Sequence, residues 1–348
     1  MMKLICSVAV LLLTLSACGD NARNTAHDKV TLQVSWSISP EHAAFLLGQE
    51  EIFPSYGINL ELAPSRGSNE TLASIEAGRY PFVIASAESL VLARAQGTPA
   101  RSVLQFYRES PAVVFSIDGS DISQGPQSLV GRKVGIIRTS TVTTQFNFML
   151  TQNNIRASDE RTPGTVQTVT ATQGGAAQLE SGQIDALTQY TNYAPAQFRA
   201  QGRNVSELFL KNHGVDTYSA GLIVSDNTLN TDRDLVQRFV CATIESLELA
   251  QREPARAIEA YRRWSAANAG AFDAEYTRLS IESTNRLLQA ALGNHRIGYH
   301  DEPGWQRTLA TVRASERRPL ANLQPNSLFD AAFVAYATER GRCAALKR

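Results

Sequence analysis

Between Val30 and Val224 short apolar runs with strand character alternate with helical segments, and from Thr231 onward the strands disappear. "VTLQVSW" (Val30 to Trp36), "GINLELAP" (Gly57 to Pro64) and "FVIASAES" (Phe82 to Ser89) read as strands. A helix opened by Pro40 and a second over "NETLASIEAGRY" separate them. "RSVLQFY" and "AVVFSI" add two apolar strands, and "LVLARAQG" a helix before them. The pattern then repeats with "KVGII", a helix from Thr139, "TVQTVTA", and a helix stopped at Gly182 before a short strand. The helix "YAPAQFRAQG" and the strand "YSAGLIVS" complete it. Strands spaced by helices of this length predict βαβ units and mainly parallel sheets. The tail predicts helices only, over "DLVQRFVCATIESLELAQ" and near 254–265, 272–292, 302–313 and 326–340. The fold class is therefore α/β, in two blocks followed by a helical tail.

The strands Val113 to Ile117 and Ser219 to Val224 are placed to carry the chain out to the second block and back. The expected division is one discontinuous lobe of residues 30–115 and 225–348 and a second lobe of 116–224. A length of 348 residues suits two domains better than one. Lys plus Arg and Asp plus Glu both number 33, so no net field draws the chain to nucleic acid or anionic lipid. That balance fits a small-molecule partner better than a polyanion, and a monomer is expected.

The first 29 residues read as a leader and a tether. A positive start, Met1-Met2-Lys3, precedes the apolar run Leu4 to Leu15, which is too short to span a bilayer. "LSAC", Leu15 to Cys18, resembles a bacterial lipobox, whose cysteine is lipidated after residues 1–17 are removed. "GDNARNTAHDK" then reads as a polar tether over 18–29. The expectation is an exported domain held to the cell membrane, on its periplasmic or extracellular face, by lipid on Cys18. Of the four cysteines, Cys241 and Cys343 remain in the body. They either form a disulfide in an oxidising compartment or stay as two separate buried thiols.

The motifs, in order, are similar to one family. "WSISPEHAAFLLGQEEIFPSYGINLEL" matches a Trp-x-x-x-Pro-x-His-x-x-Phe start followed by a helix, and "ASAESLVLARAQGTPARSV", "SLVGRKVGI" and "LESGQIDAL" follow. From about Leu32 to about Leu222 the chain resembles the substrate-binding proteins of ABC importers in the thiamine-pyrimidine-precursor group (formylaminopyrimidine and hydroxymethylpyrimidine binders). These are kin to the taurine, sulfonate and nitrate binders. The resemblance implies a two-lobed, hinged type II periplasmic-binding-protein fold and delivery of a ligand to a membrane permease. The related fungal enzymes that make the thiamine pyrimidine carry a cysteine-rich "CCCFC" iron motif. No two cysteines are close here, so no chemistry, metal or cofactor is expected.

Ligands of open α/β sheets bind beyond the carboxyl ends of strands, and a cleft between two such lobes is the natural site. Trp36 and His42 follow the first strand, where the indole can stack on a flat ligand and the imidazole bond to it. The other reading is a core ring and a helix-face histidine. Ser86, Glu88 and Ser89 sit at a strand end, where Glu88 can accept from a ligand amine or merely complement the helix dipole. Thr139, Ser140 and Thr141, with Arg138 adjacent, match the turn that cradles the anion in the anion-binding relatives. The same residues also serve as ordinary helix caps, and the family's usual glycine is missing there. Tyr107 with Arg108, and Tyr190 with Asn192 after "GQIDA", are the later candidates, and Tyr218 is a weaker one. Asp185 reads as structural.

No G-x-S-x-G elbow, HExxH or P-loop occurs, and "TQGGAA" lacks dinucleotide-binding spacing. His27, His42, His213, His295 and His300 show no metal-ligand spacing. Two ligand classes stay open for one cleft. One is a planar heterocycle such as a thiamine pyrimidine precursor, and the other is a small sulfonate, carboxylate or other anion. A pyrimidine-synthase enzyme is a third alternative.

Overall fold

A computed structural model describes residues 27–117, 119–138, 140–172, 174–315, 320 and 323–348. The leader, Cys18 and most of the tether lie outside the described residues, as does Thr139. Among the described residues no helix is long and apolar enough to cross a membrane.

The first sheet takes strands β1 (Asp28–Gln33), β2 (Ile58–Ala63), β3 (Phe82–Ser86), β4 (Ala100–Gln105) and β11 (Ala220–Ser225) in the order β2-β1-β3-β11-β4. β1, β2 and β3 run parallel, with Leu32 opposite both Leu62 and Phe82, while β11 is antiparallel to β3 and β4. The second sheet holds β5 (Ala112–Ile117), β6 (Lys133–Ile136), β7 (Arg156–Ser158), β8 (Thr165–Thr170), β9 (Ala186–Tyr190) and β10 (Val205–Phe209). Its order is β10-β5-β9-β6-β8-β7. β6 to β9 are parallel, and β5 is antiparallel to both β9 and β10. The sheets are thus mixed rather than mainly parallel, and the antiparallel members are largely the strands beside the two crossings.

Those crossings fall outside the expected boundaries. β5 pairs wholly in the second sheet and β11 wholly in the first, so the chain crosses between Gln105 and Ala112 and returns between Phe209 and Ala220. Boundaries at 115 and 224 cut through strands, because an apolar run shows that a strand exists but not which sheet it joins. β1 likewise begins at Asp28, inside the expected tether.

Twelve helices cover the sheets among the described residues. Ala43–Glu51 (α1), Ser68–Glu76 (α2), Ala87–Ala95 (α3), Thr141–Gln152 (α4), Ala176–Glu180 (α5) and Ala194–Ala200 (α6) follow strands. Asp226–Thr231 (α7), Arg233–Arg252 (α8), Pro254–Ala267 (α9), Ala274–Gln289 (α10), Glu302–Ser315 (α11) and Ala332–Thr338 (α12) form the tail. Alternate residues of β3 serve opposite faces of the first sheet. Phe82 and Ile84 join the core under α1 and α8, where the Phe82 and Phe239 rings stack 4.0 Å apart. Val83 and Ala85 join the core that includes Leu72, Trp305 and Leu309. The second sheet is covered in the same way, with Val114 and Phe146 on one side and Val113, Phe115 and Phe198 on the other. Both sheets are therefore buried on both faces, as parallel βαβ layers require.

Cys241 in α8 and Cys343 near the C-terminus are joined by a disulfide, with Cα atoms 5.6 Å apart. Gly57, in the left-handed region at φ 67°, ends the turn that launches β2.

Candidate functional site

A cavity of about 170 Å³ lies where the two sheet-centred bodies meet. From the first body come Trp36, Glu41, His42, Phe45, Ser86 and Tyr107, and from the second Ser140, Thr141, Gln189, Tyr190 and Tyr193. The strand ends of β1, β3, β6 and β9 all point there, so the residues just beyond each strand become its wall.

Trp36 is 44% exposed, so its indole is open at the cavity rather than sealed in a core. His42 closes the 3-10 turn Pro40–His42 that β1 runs into. Its Nδ1 accepts from the Ser39 backbone N–H at 3.2 Å, which leaves the proton of the neutral ring on Nε2. Nε2 lies 3.5 Å from Glu41 Oε1. Burial holds the His42 pKa below its ordinary value despite the nearby Glu41 charge.

The centre of this wall is Glu41. Its Oε2 accepts from Asn192 Nδ2 at 2.9 Å and from the Tyr107 hydroxyl at 3.4 Å, and its Oε1 accepts from the Tyr193 hydroxyl. Two of these donors belong to the second body, so the carboxylate ties the bodies together while lining the space between them. Burial, with the Glu41 charge behind it, pushes the Tyr107 and Tyr193 hydroxyls well above their ordinary pKa of 10. Both therefore keep their protons. On the far side Thr141 Oγ1 lies 3.3 Å from Ser86 Oγ and 3.5 Å from Ser89 Oγ, a second bridge between the bodies. Ser86 and Ser140 are the N-caps of α3 and α4, accepting from the Ser89 and Val142 backbone N–H groups at 3.2 Å each.

Several expected residues lie elsewhere. Glu88 is buried off the cavity on the first turn of α3, because β3 ends at Ser86 rather than Ser89. Its Oε1 accepts from Gln145 Nε2 and from Thr217 Oγ1, the latter at 2.7 Å, and burial raises its pKa. Asn192 sits behind the wall, held by Glu41 and by Thr284 Oγ1 at 3.2 Å, and Ser280 Oγ donates to its carbonyl. Arg108 packs on Tyr299 and donates to the Ala291 and Tyr299 carbonyls. Arg138 is exposed and donates to Thr170 Oγ1 at 2.9 Å. Tyr218 is buried against Trp305 and donates to Asp301. Asp185 accepts from the Lys133 N–H at 2.7 Å and joins β6 to β9, a structural use. Trp36, His42, Ser86, Ser89, Tyr107, Ser140, Thr141 and Tyr190 all line the cavity.

Glu41, Tyr193, Phe45 and Gln189 are among the wall residues that the sequence did not single out. Glu41 stands between Pro40 and His42, where an acidic residue in a first helical turn reads as a dipole partner. Tyr193 hides in a helix start. Among the described residues no group of three or more His, Cys, Asp or Glu is placed to hold a metal ion.

Residues 39–257 match the family model described as NMT1/THI5 like. The chain belongs to the NMT1/THI5-like family. Over 111 residues this family member is 26% identical to 4-amino-5-hydroxymethyl-2-methylpyrimidine phosphate synthase THI5 of Saccharomyces cerevisiae, which covers 32% of this chain and 33% of the synthase. It is 25% identical over 245 residues to the riboflavin-binding protein RibY of Chloroflexus aurantiacus, covering 67% of this chain and 65% of that protein. These alignments span about a third and just under two thirds of the relatives' own lengths. In structure it superimposes on the ligand-binding component of an ABC-type import system from Staphylococcus aureus. That match has a TM-score of 0.64, 13% identity, and covers 90% of this chain and 99% of that one. The fold of this NMT1/THI5-like protein is that of the two-lobed type II periplasmic binding proteins, with a helical C-terminal tail.

Proposed function

We propose that the protein is the solute-binding lipoprotein of an ABC importer. It captures a small planar heterocycle, such as a thiamine pyrimidine precursor, between two lobes and releases it unaltered to a membrane permease. In this reading the lobes are the two sheet-centred bodies, anchorage is through Cys18, the protein works as a monomer, and no cofactor takes part. The ligand contacts are Trp36, His42, Ser86, Tyr107, Ser140, Thr141 and Tyr190. Glu88 and Asn192 support the closed arrangement from behind.

The observation that carries this is an aromatic cavity with a carboxylate in its wall. An open indole and three tyrosines offer faces to a flat molecule. Glu41 disfavours a second negative charge beside it. Arg66 lines the cavity, but its side chain is 91% exposed and its Nε is paired with Glu70, and Arg138 bonds to Thr170. The alternative of a small anion seated at Ser140 and Thr141 rests on one N-cap, the Thr141 hydroxyl and the exposed Arg66. The synthase reading rests on the yeast relative, and this chain lacks the cysteine-rich iron motif that the resemblance implies for such an enzyme.

A thermal-shift series on the full chain tests the proposal. The probes are 4-amino-5-hydroxymethyl-2-methylpyrimidine, thiamine, riboflavin, taurine and nitrate. A heterocycle at 100 times its dissociation constant stabilises by about 2.7 kcal/mol. Stabilisation by taurine or nitrate and by no heterocycle selects the anion reading. Recovery of the bound heterocycle chemically altered selects the enzyme.

A further inference from the structure

A carboxylate with four neighbouring donors is an unusual thing to place in the wall of a binding cavity. Glu41 is met by the hydroxyls of Tyr107 and Tyr193, by Asn192 Nδ2 and by His42 Nε2. A carboxylate offers acceptor sites only, and two oxygens carry about four of them. Its capacity is therefore taken up by the protein, which leaves little for a ligand. The consequence falls on the donors. A tyrosine has one hydroxyl proton, and once that proton points at Glu41 the oxygen can only accept.

Asn192 is turned in the same sense. Its Nδ2 reaches Glu41 and Thr284, and its Oδ1 is left buried without a partner. His42 is fixed too, since the Ser39 N–H occupies Nδ1 and leaves the ring proton on Nε2, 3.5 Å from Glu41 Oε1. The opposite wall has the reverse polarity. The hydroxyl oxygens of Ser86 and Ser140 accept from backbone N–H groups of α3 and α4; the Ser140 proton is available to donate, and the Ser86 and Thr141 hydroxyls, 3.3 Å apart, use one proton between themselves.

We propose that Glu41 is a specificity-determining positioning residue. By drawing the protons of Tyr107 and Tyr193 toward itself, it makes their side of the cavity an acceptor surface and so selects ligands that present N–H groups there. The ligand class is an amino-substituted heterocycle, with its exocyclic amine toward Tyr107 and Tyr193 and a ring acceptor toward Ser86 and Ser140. This deepens the reading above and rests on the cleft being the ligand site. Glu41 acts through the tyrosines rather than by holding the ligand.

The test compares two probes by calorimetry on the full chain. They are 4-amino-5-hydroxymethyl-2-methylpyrimidine and its 4-oxo counterpart, in which the exocyclic donor becomes an acceptor. The unmodified protein is expected to favour the amino form by tenfold or more. Glu41→Gln, which turns one of the two acceptor oxygens into an amide donor and removes the charge, is expected to shrink that ratio at least tenfold. Tyr193→Phe, which keeps Glu41, is expected to weaken the amino form and spare the oxo form. An unchanged ratio in Glu41→Gln overturns the proposal, even if both affinities fall, because a merely structural loss affects the two probes alike. If neither probe binds the unmodified protein, the heterocycle reading fails. The Glu41 assignment is then read in ligand-free protein from tyrosine hydroxyl protons by NMR. Slowly exchanging Tyr107 and Tyr193 protons that exchange at least tenfold faster in Glu41→Gln support it, with exposed Glu61→Gln as the control. Equal rates refute it.

Discussion

Trp36 keeps one side toward the cavity and 44% of its surface in water. A flat ligand laid on it gains stacking of about 0.5–1.5 kcal/mol beyond the area it covers. Trp36→Ala is expected to weaken the preferred heterocycle about tenfold or more with little change in melting temperature, measured by calorimetry beside a melt. Equal affinity for every heterocycle removes the indole from the site. His300 makes a different prediction. Burial lowers its pKa from 6.5 to about 4, while Trp305 Nε1 donates to its Nδ1 and its Nε2 has no partner. Between those two pH values the unfolded chain binds more protons than the folded one, so stability is full above pH 6.5 and falls as pH drops toward 4. The loss from this one ring is about 3 kcal/mol. Glu88 works in the opposite sense, since its raised pKa costs stability as pH rises from 4.5. Urea midpoints taken from pH 7 to pH 4.5 should fall less steeply in His300→Gln, and an unchanged slope rejects the assignment. At this scale the sequence located the cavity wall through aromatic or hydroxyl residues at or just beyond a strand end, such as Tyr190, Trp36 and Thr141. It misled at Glu88 and Asn192, where one helical turn or one residue decides whether a polar group faces the cavity or the packing behind it. Glu41 stayed hidden because its donors come from positions as much as 152 residues away.

Among elements, α8 organises the first body, and two of its contacts can be tested. A Cβ on Gly48 of α1 would lie 2.0 Å from Ser246 Oγ and 2.7 Å from Ser246 Cβ. Gly48→Ala is therefore expected to cost about 1–3 kcal/mol by overpacking, although alanine is the better helix former. An urea midpoint equal to that of the unmodified protein shows that the two helices separate freely. The disulfide from Cys241 to Cys343 closes a loop of 102 residues. Replacing both cysteines by alanine should lower stability by about 3–5 kcal/mol, and reductant should do the same to the unmodified protein and nothing to the variant. The sequence left this pair open, because spacing alone does not bring two cysteines together. It supplied most of the helices and every strand but β7, of three residues, and β10. β10 was missed although "VSELF" alternates, since its length of five residues is easily absorbed into a loop. The last helix came out shorter than 326–340, because Pro325–Ser327 forms only a 3-10 turn before α12.

At the scale of the whole molecule, two short crossings join the bodies, residues 106–111 and 210–219. In the proposed binder these crossings are the hinge, and the bonds from Glu41 and Thr141 span the cleft that it closes. Small-angle scattering should show the full chain contract when the stabilising heterocycle is added, and a radius that does not change argues against closure. The two-block plan was readable from the alternation of strands and helices, whereas the sheet each crossing strand joins depends on long-range pairing that no local pattern encodes. Another feature bears on how such a machine is mounted. The backbone N–H of Arg348 donates to Ser55 O at 2.8 Å, and its side chain approaches Asp28 and Asp234. Asp28, where β1 begins, and Arg348 therefore sit side by side on the first body. In the proposed anchored protein a leash joined upstream of Asp28 grips that body alone and leaves the second to swing against a fixed base.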